Sequence, residues 1–254
     1  MPFFSLLCPT RERPIQRENL IKSIIDTTSN LNNVELLFAA DKDDLATQDN
    51  VINLIKKYNQ LKIRVFVRNR SIFLNRDYYN WLAGFADGDF YWVIGDDVIF
   101  RFKGWDSYIQ RRIEDYLIDK KDRIICVGAS DDTPKPNDSL PHFPCFPILS
   151  KEAVRAMGYV LPPEIPTWGA DYIIYELYRR VGRLLIISEY IFLSHISYHT
   201  KKVPEDKISK RVGEIFNALK MRKEYSTDVY LREKLPLQVE YLKNVIKGVI
   251  KIHD

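Results

Sequence analysis

The 254 residues, 46% hydrophobic and 13% aromatic, can bury a sizeable core as one large domain or two small ones, so the chain reads as globular. Its net charge of +4 is modest and uneven: residues 201–254 hold 13 Lys and Arg against 8 Asp and Glu, a balance of +5, which leaves the first 200 near −1. No basic patch with interleaved aromatics stands out, so no nucleic-acid partner is expected, and the distant Cys8, Cys126 and Cys145, without a CxxC or a histidine at metal spacing, point to neither a disulfide framework nor a zinc site.

The opening MPFFSLLCPT has too short an apolar run to span a membrane and no basic leader, so no secretory signal is read and a cytoplasmic location is expected. Residues 3–10 predict a short buried strand, and 14–30 a helix with Leu20, Ile21, Ile24 and Ile25 near helical spacing. Residues 34–41 are a second strand running out into the polar loop DKDD. A helix over 50–58, an alternating strand over 62–69, a helix over 75–86 and a fourth strand, FYWVIGDD, over 90–97 follow. This alternation predicts an α/β domain with a mostly parallel central sheet flanked by helices, whose ligands sit beyond the carboxyl ends of the strands. Thr10, Asp41, Asp43, Asp44, Asp96 and Asp97 all fall at such ends.

Further along, 105–117 reads as a helix, 123–130 as a strand, and the proline-rich 131–147 as a surface loop. Ser150 caps a helix through Met157, 171–181 is helical again, and 183–195 is strand-rich and ends on His195. Two amphipathic helices over 207–223 and 237–252 close the chain.

The stretch YWVIGDDVIF is the chemically informative one. Two adjacent carboxylates repel, and burying them without a partner is costly, so a strand that ends in Asp-Asp reaches water or a cation. Hard divalent ions take such oxygens, and Mg²⁺ is commonly held by one or two carboxylates plus substrate phosphates. The bland alternative is a pair of solvated loop aspartates. A polymerase GDD turn needs a second carboxylate strand and more chain than this βα order leaves.

The ordered segments CPTRERP, VELLFAADKDD and NWLAGFADGDFYWVIGDDVIF resemble the nucleotide-binding half of a GT-A glycosyltransferase of the inverting family 2 type. The stretch MGYVLPPEIPTWGADYIIYELYRRVGRLLIISEYIFLSH resembles its acceptor half. The resemblance implies a GT-A, Rossmann-like catalytic domain over 1–200, with a nucleotide-binding half over 1–100 and an acceptor half over 101–200. A basic amphipathic helical extension over 201–254 follows it. It implies a nucleoside-diphosphate sugar as donor, a glycan or other hydroxyl acceptor, and Mn²⁺ or Mg²⁺ as cofactor.

Carried over residue by residue, Asp97 and His195 are the expected metal ligands, with His199 a rival to the histidine, and Asp171 is the expected general base. Pro9, Thr10, Arg11, Arg13, Asp41, Asp44, Asn80 and Asp96 are expected on the donor side, and His142, Phe143, Phe146 and Trp168 on the acceptor side. Two positions depart from the family pattern: Gly95 stands where the metal element usually begins with Asp, and Ala170 precedes Asp171 where Glu is usual. These departures keep open a degenerate GT-A domain that binds sugar nucleotides or serves as a scaffold. A sugar-1-phosphate nucleotidyltransferase is the other alternative, but CPTRERP lacks the glycines its phosphate loop would want. The basic C-terminal helices have three readings: packing on the catalytic domain, a homodimer contact, or a peripheral contact with an anionic membrane surface.

Overall fold

The protein is described by a computed structural model covering residues 3–133, 143–197, 200–219 and 222–252. In chain order, β1 (Phe4–Thr10), α1 (Pro14–Thr27), β2 (Val34–Asp41), α2 (Leu45–Lys57), β3 (Lys62–Arg68), α3 (Asn80–Ala83) and β4 (Phe90–Val93) build the first half. The second half contains β5 (Val98–Phe100), α4 (Trp105–Leu117), β6 (Cys126–Ala129), β7 (Ile148–Ser150), α5 (Lys151–Met157), α6 (Ala170–Arg180), β8 (Leu184–Ile187) and β9 (Leu193–His195). Helices α7 (Lys207–Leu219), α8 (Thr227–Val229) and α9 (Leu235–Ile246) complete it.

Seven strands form one sheet in the order β3-β2-β1-β4-β7-β6-β8, and β5 pairs with β9 in a separate ribbon. Of the seven, β7 alone runs antiparallel to its neighbours. Apolar runs such as FSLLC and LLFAA suit a parallel sheet covered on both faces, since every second residue must meet a different layer of helices. Phe4, Leu6, Leu36, Phe38 and Trp92 pack with α1 and α4 on one face. Leu7, Leu37, Tyr91 and Val93 pack with α5, α6 and α9 on the other. The last helix therefore inserts Leu235, Val239, Leu242 and Val245 into the same core as the acceptor half.

Several expected boundaries move. Helix α2 begins at Leu45 rather than 50 because the Asp44 side chain caps it, accepting the Thr47 N–H at 3.1 Å. The helix expected over 75–86 is a π-helical turn, Asn75–Tyr79, followed by the short α3. Strand β4 ends at Val93, so the two aspartates stand in the turn between β4 and β5. The final helix stops at Ile246, before Gly248 at φ 73°, where a left-handed residue ends the winding. Among the described residues no helix is long and apolar enough to cross a membrane.

Gly88, which precedes β4, has a steric reason to be glycine. A Cβ there would meet the Ser5 hydroxyl at 2.7 Å and the Ser5 backbone nitrogen at 2.9 Å. Its N–H donates to that hydroxyl, which in turn donates to the buried Glu35 carboxylate at 2.6 Å. This network ties the amino ends of the strands together, and the carboxyl ends are left for chemistry.

Candidate active site

At the carboxyl edge, β1 delivers Thr10, and the turn after β4 delivers Asp96 and Asp97. The β5–β9 ribbon pairs Val98 with His195, and the Ile196 N–H donates to the Asp97 carbonyl at 2.7 Å. That pairing sets His195 Nε2 at 3.5 Å from Asp97 Oδ1. The imidazole is held from behind by the edge of Phe146, whose ring centroid lies at 5.2 Å, and its Nδ1 lies 3.3 Å from the Thr133 hydroxyl.

The two carboxylates are not equivalent. Asp96 is buried, accepts the Thr10 hydroxyl at 2.7 Å on one oxygen and the Arg13 guanidinium at 3.0 Å on the other. Burial pushes its carboxyl above the ordinary range, with Arg13 opposing and Asp97 adding to the rise. Burial would raise Asp97 as well, but its contacts with His195 and Arg13 outweigh that and hold it below the ordinary range. Asp97 is therefore the more readily ionised member of the pair, and it faces the cleft. Gly95 explains itself here too: a Cβ at that position would meet Asp97 Oδ1 at 2.5 Å, so an aspartate there is incompatible with this placement of the carboxylate.

Arg13 binds three carboxylates at once: Asp96, Asp97 at 3.3 Å, and Asp206 through a two-pronged contact at 2.6 and 2.9 Å. Asp206 precedes α7 and caps it by accepting the Ser209 N–H at 2.7 Å. Beneath the cluster lies Arg17, only 1% exposed, which donates to the Thr10 hydroxyl at 2.5 Å and to Asn50 at 3.0 Å. It thereby leaves the Thr10 proton for Asp96. Burial lowers the Arg17 guanidinium from its ordinary value and the Asp96 charge opposes the fall.

Beside this cluster, Arg11 donates to Asp41 and Asp43, both at 2.8 Å, and Tyr78 donates its hydroxyl to Asp41. Asp171 lies in the first turn of α6, where the helix dipole favours a carboxylate, and accepts the Tyr172 N–H at 2.9 Å. Tyr79 of the π-helical turn donates its hydroxyl to the Ile94 carbonyl at 3.0 Å, and burial raises that hydroxyl well above its ordinary value, with nearby negative charges adding to the rise.

Other expected residues sit differently. Asp44 is engaged as the α2 cap and accepts the Glu12 N–H at 3.1 Å. Asn80 is a clamp on the α5–α6 connection, accepting the Val160 and Leu161 N–H groups at 2.9 Å each and donating to the Leu161 carbonyl at 2.8 Å. Pro9 is half-buried in β1. Phe143 packs on Tyr172 and Tyr175 of α6, whereas Trp168 lies tilted against Phe216 of α7 with ring centroids 5.2 Å apart. His142 and His199 lie outside the described residues.

A cleft of about 200 Å³ opens beside the cluster, walled by Arg13, Asp97, Ile196, Pro204, Asp206 and Ser209. Another, of about 230 Å³, is lined by Asn80, Tyr91, Lys151, Arg155 and Tyr159 and has no carboxylate. No group of three His, Cys, Asp or Glu converges as a metal shell among the described residues. Asp97 and His195 nevertheless offer one oxygen and one nitrogen donor 3.5 Å apart, close enough to share an ion whose remaining positions phosphate and water would fill.

No family model and no curated sequence matches the chain. Solved structures do. A mannosyltransferase from Pyrobaculum calidifontis in complex with GDP-Man and Mn²⁺ superposes with a TM-score of 0.61 at 12% identity, covering 98% of this chain and 74% of that one. TarS 1-349 of S. aureus in complex with UDP gives 0.58 at 12% identity, over 98% and 91%, and its complex with UDP-GlcNAc gives 0.57 over the same shares. The chain has the GT-A-like fold of these glycosyltransferases.

Proposed function

We propose that the protein transfers a sugar from a nucleoside-diphosphate donor to a hydroxyl acceptor with inversion at the anomeric carbon. The observation that carries this reading is the convergence of Asp96, Asp97, His195 and Arg13 at the carboxyl edge of a GT-A-like sheet. The donors bound in the structural neighbours, GDP-Man and UDP-GlcNAc, agree with it.

Each part has a task. Arg13 presents a planar fork suited to two phosphate oxygens. Arg11, Asp41 and Tyr78 form a polar wall beside Thr10, where the base and ribose would lie. Asp97 and His195 would hold a divalent ion, Mn²⁺ or Mg²⁺, whose charge eases departure of the nucleoside diphosphate. Asp171 accepts the proton of the acceptor hydroxyl as the new C–O bond forms and the bond to the diphosphate breaks. The buried Phe143 stiffens the helix that carries it.

Asp171→Asn separates binding from chemistry. Donor affinity is expected to persist while transfer falls by about 10² to 10⁴, the usual span for a general base. Transfer at the wild-type rate would remove Asp171 from the mechanism.

A further inference from the structure

We propose that Asp206 is a built-in stand-in for a phosphate of the donor, and that α7 is a latch which the diphosphate opens by displacing Asp206 from Arg13. The inference rests on the glycosyltransferase reading of the site. Its geometry is that of phosphate recognition: a carboxylate gripped by the Nε and Nη2 edge of one guanidinium, at 2.6 and 2.9 Å, with Ser209 adding a hydroxyl at 2.8 Å from Nη2. A diphosphate oxygen pair would use the same edge.

Space argues for movement. Small-molecule sites commonly enclose about 300 to 1,000 Å³, and the cleft beside Arg13 holds about 200 Å³. The pieces of its wall differ in how firmly they are held. Arg13 follows β1, and Asp97 and Ile196 flank the β5–β9 ribbon and are joined by a backbone hydrogen bond, whereas Val203, Pro204 and Asp206 lead into α7 and Ser209 lies in its first turn. Within α7 only Leu219 is fully buried, and the apolar stripe of Ile208, Val212, Ile215 and Phe216 is partly covered, Phe216 against Trp168. An element with so few fully buried side chains opens at lower cost than the sheet beside it.

Charge supplies the trigger. One Arg13 cation faces the three carboxylates of Asp96, Asp97 and Asp206, so a divalent ion with a diphosphate satisfies the pair and competes for the guanidinium together. In the closed state burial raises the Asp206 carboxyl, but Arg13 and Ser209 outweigh it and hold it down at about 2.

The test uses inorganic pyrophosphate with MnCl₂ as probe, on the wild type, Asp206→Asn and Asp206→Glu, followed by calorimetry and by amide hydrogen exchange over residues 206–219. Asn keeps the cap on Ser209 but loses the charge, so α7 is expected to exchange faster without probe and pyrophosphate to bind about fivefold tighter, the worth of a partly exposed ion pair. Asp206→Glu, which keeps the charge, is expected to stay nearer the wild type, and unchanged melting curves show that all three are folded. In the wild type pyrophosphate should speed exchange in α7. Binding with equal affinity to wild type and Asp206→Asn, with α7 exchange unchanged or slowed, overturns the latch and leaves the donor site standing. Absence of binding by every variant overturns both.

Discussion

Arg17→Met removes the cation beneath the carboxylate pair while nearly keeping its volume. Two hydrogen bonds vanish, to Thr10 at 2.5 Å and Asn50 at 3.0 Å, and the group is 1% exposed, so no water replaces them. Hydrogen bonds to a charged group contribute about 1.5 to 3 kcal/mol each, and removing one partner of a buried charged network costs about 3 to 5 kcal/mol. Burial of the methionine offsets part of this, which leaves an expected loss of about 3 kcal/mol. For a chain of this size that is a fall of roughly 6 to 12 °C in melting temperature. Arg17→Lys keeps the charge but cannot reach both partners with one fork, and should lose about half as much. The double variant with Thr10→Val should fall short of additivity by about 1 kcal/mol, because both changes disrupt one relay to Asp96. The assay is urea or thermal unfolding of wild type, the three single variants and the double variant at neutral pH. A loss under 1 kcal/mol for Arg17→Met, or full additivity with Thr10→Val, refutes the relay.

Gly88→Ala should destabilise the fold by about 1 to 3 kcal/mol, because the new methyl would meet the Ser5 hydroxyl and backbone rather than a yielding side-chain end; an unchanged melting temperature contradicts the close approach of these strands. The docking of α7 should depend on acid. Asp206, lowered to about 2 in the folded state, contributes stability that is present above its unfolded value near 3.8 and is lost as the pH falls toward 2. Amide exchange over residues 206–219, corrected for the intrinsic rate, should therefore quicken between pH 4 and 2 before the central sheet responds, and simultaneous loss of both would contradict a separate latch.

The central sheet was legible because its strands are continuous apolar runs bounded by polar loops, and the carboxyl-end rule then collected Thr10, Asp41, Asp96 and Asp97 at one edge. His195 could be placed because a strand led to it, and the β5–β9 pairing supplies the reason. Arg17 was not legible: within PIQREN it looks like one more polar residue on a helix surface, and only the approach of Thr10 and Asn50 shows that it faces inward. Glu35 offered a clearer signal, a carboxylate inside the run VELLFAAD, where a charge at a core position needs partners such as Ser5 and Arg64. Asp206 lies 193 residues from Arg13, and no local pattern reports such a contact. Asp44 and Asn80, both expected on the donor side, also hold the fold, the first capping a helix and the second clamping a loop, contacts that neither a strand-end position nor a family motif reports.

If Asp97 anchors a metal-assisted nucleotide-sugar site, thermal shift will show it. Wild type and Asp97→Ala would be melted with UDP-, GDP-, CMP- and dTDP-linked sugars, each with and without Mn²⁺. A ligand at ~100 times its dissociation constant adds about 2.7 kcal/mol, or roughly 5 to 10 °C for a chain of this length. The predicted result is a Mn²⁺-dependent rise with one nucleotide class that disappears in Asp97→Ala. An equal rise in both proteins, or none with any donor, would contradict the account.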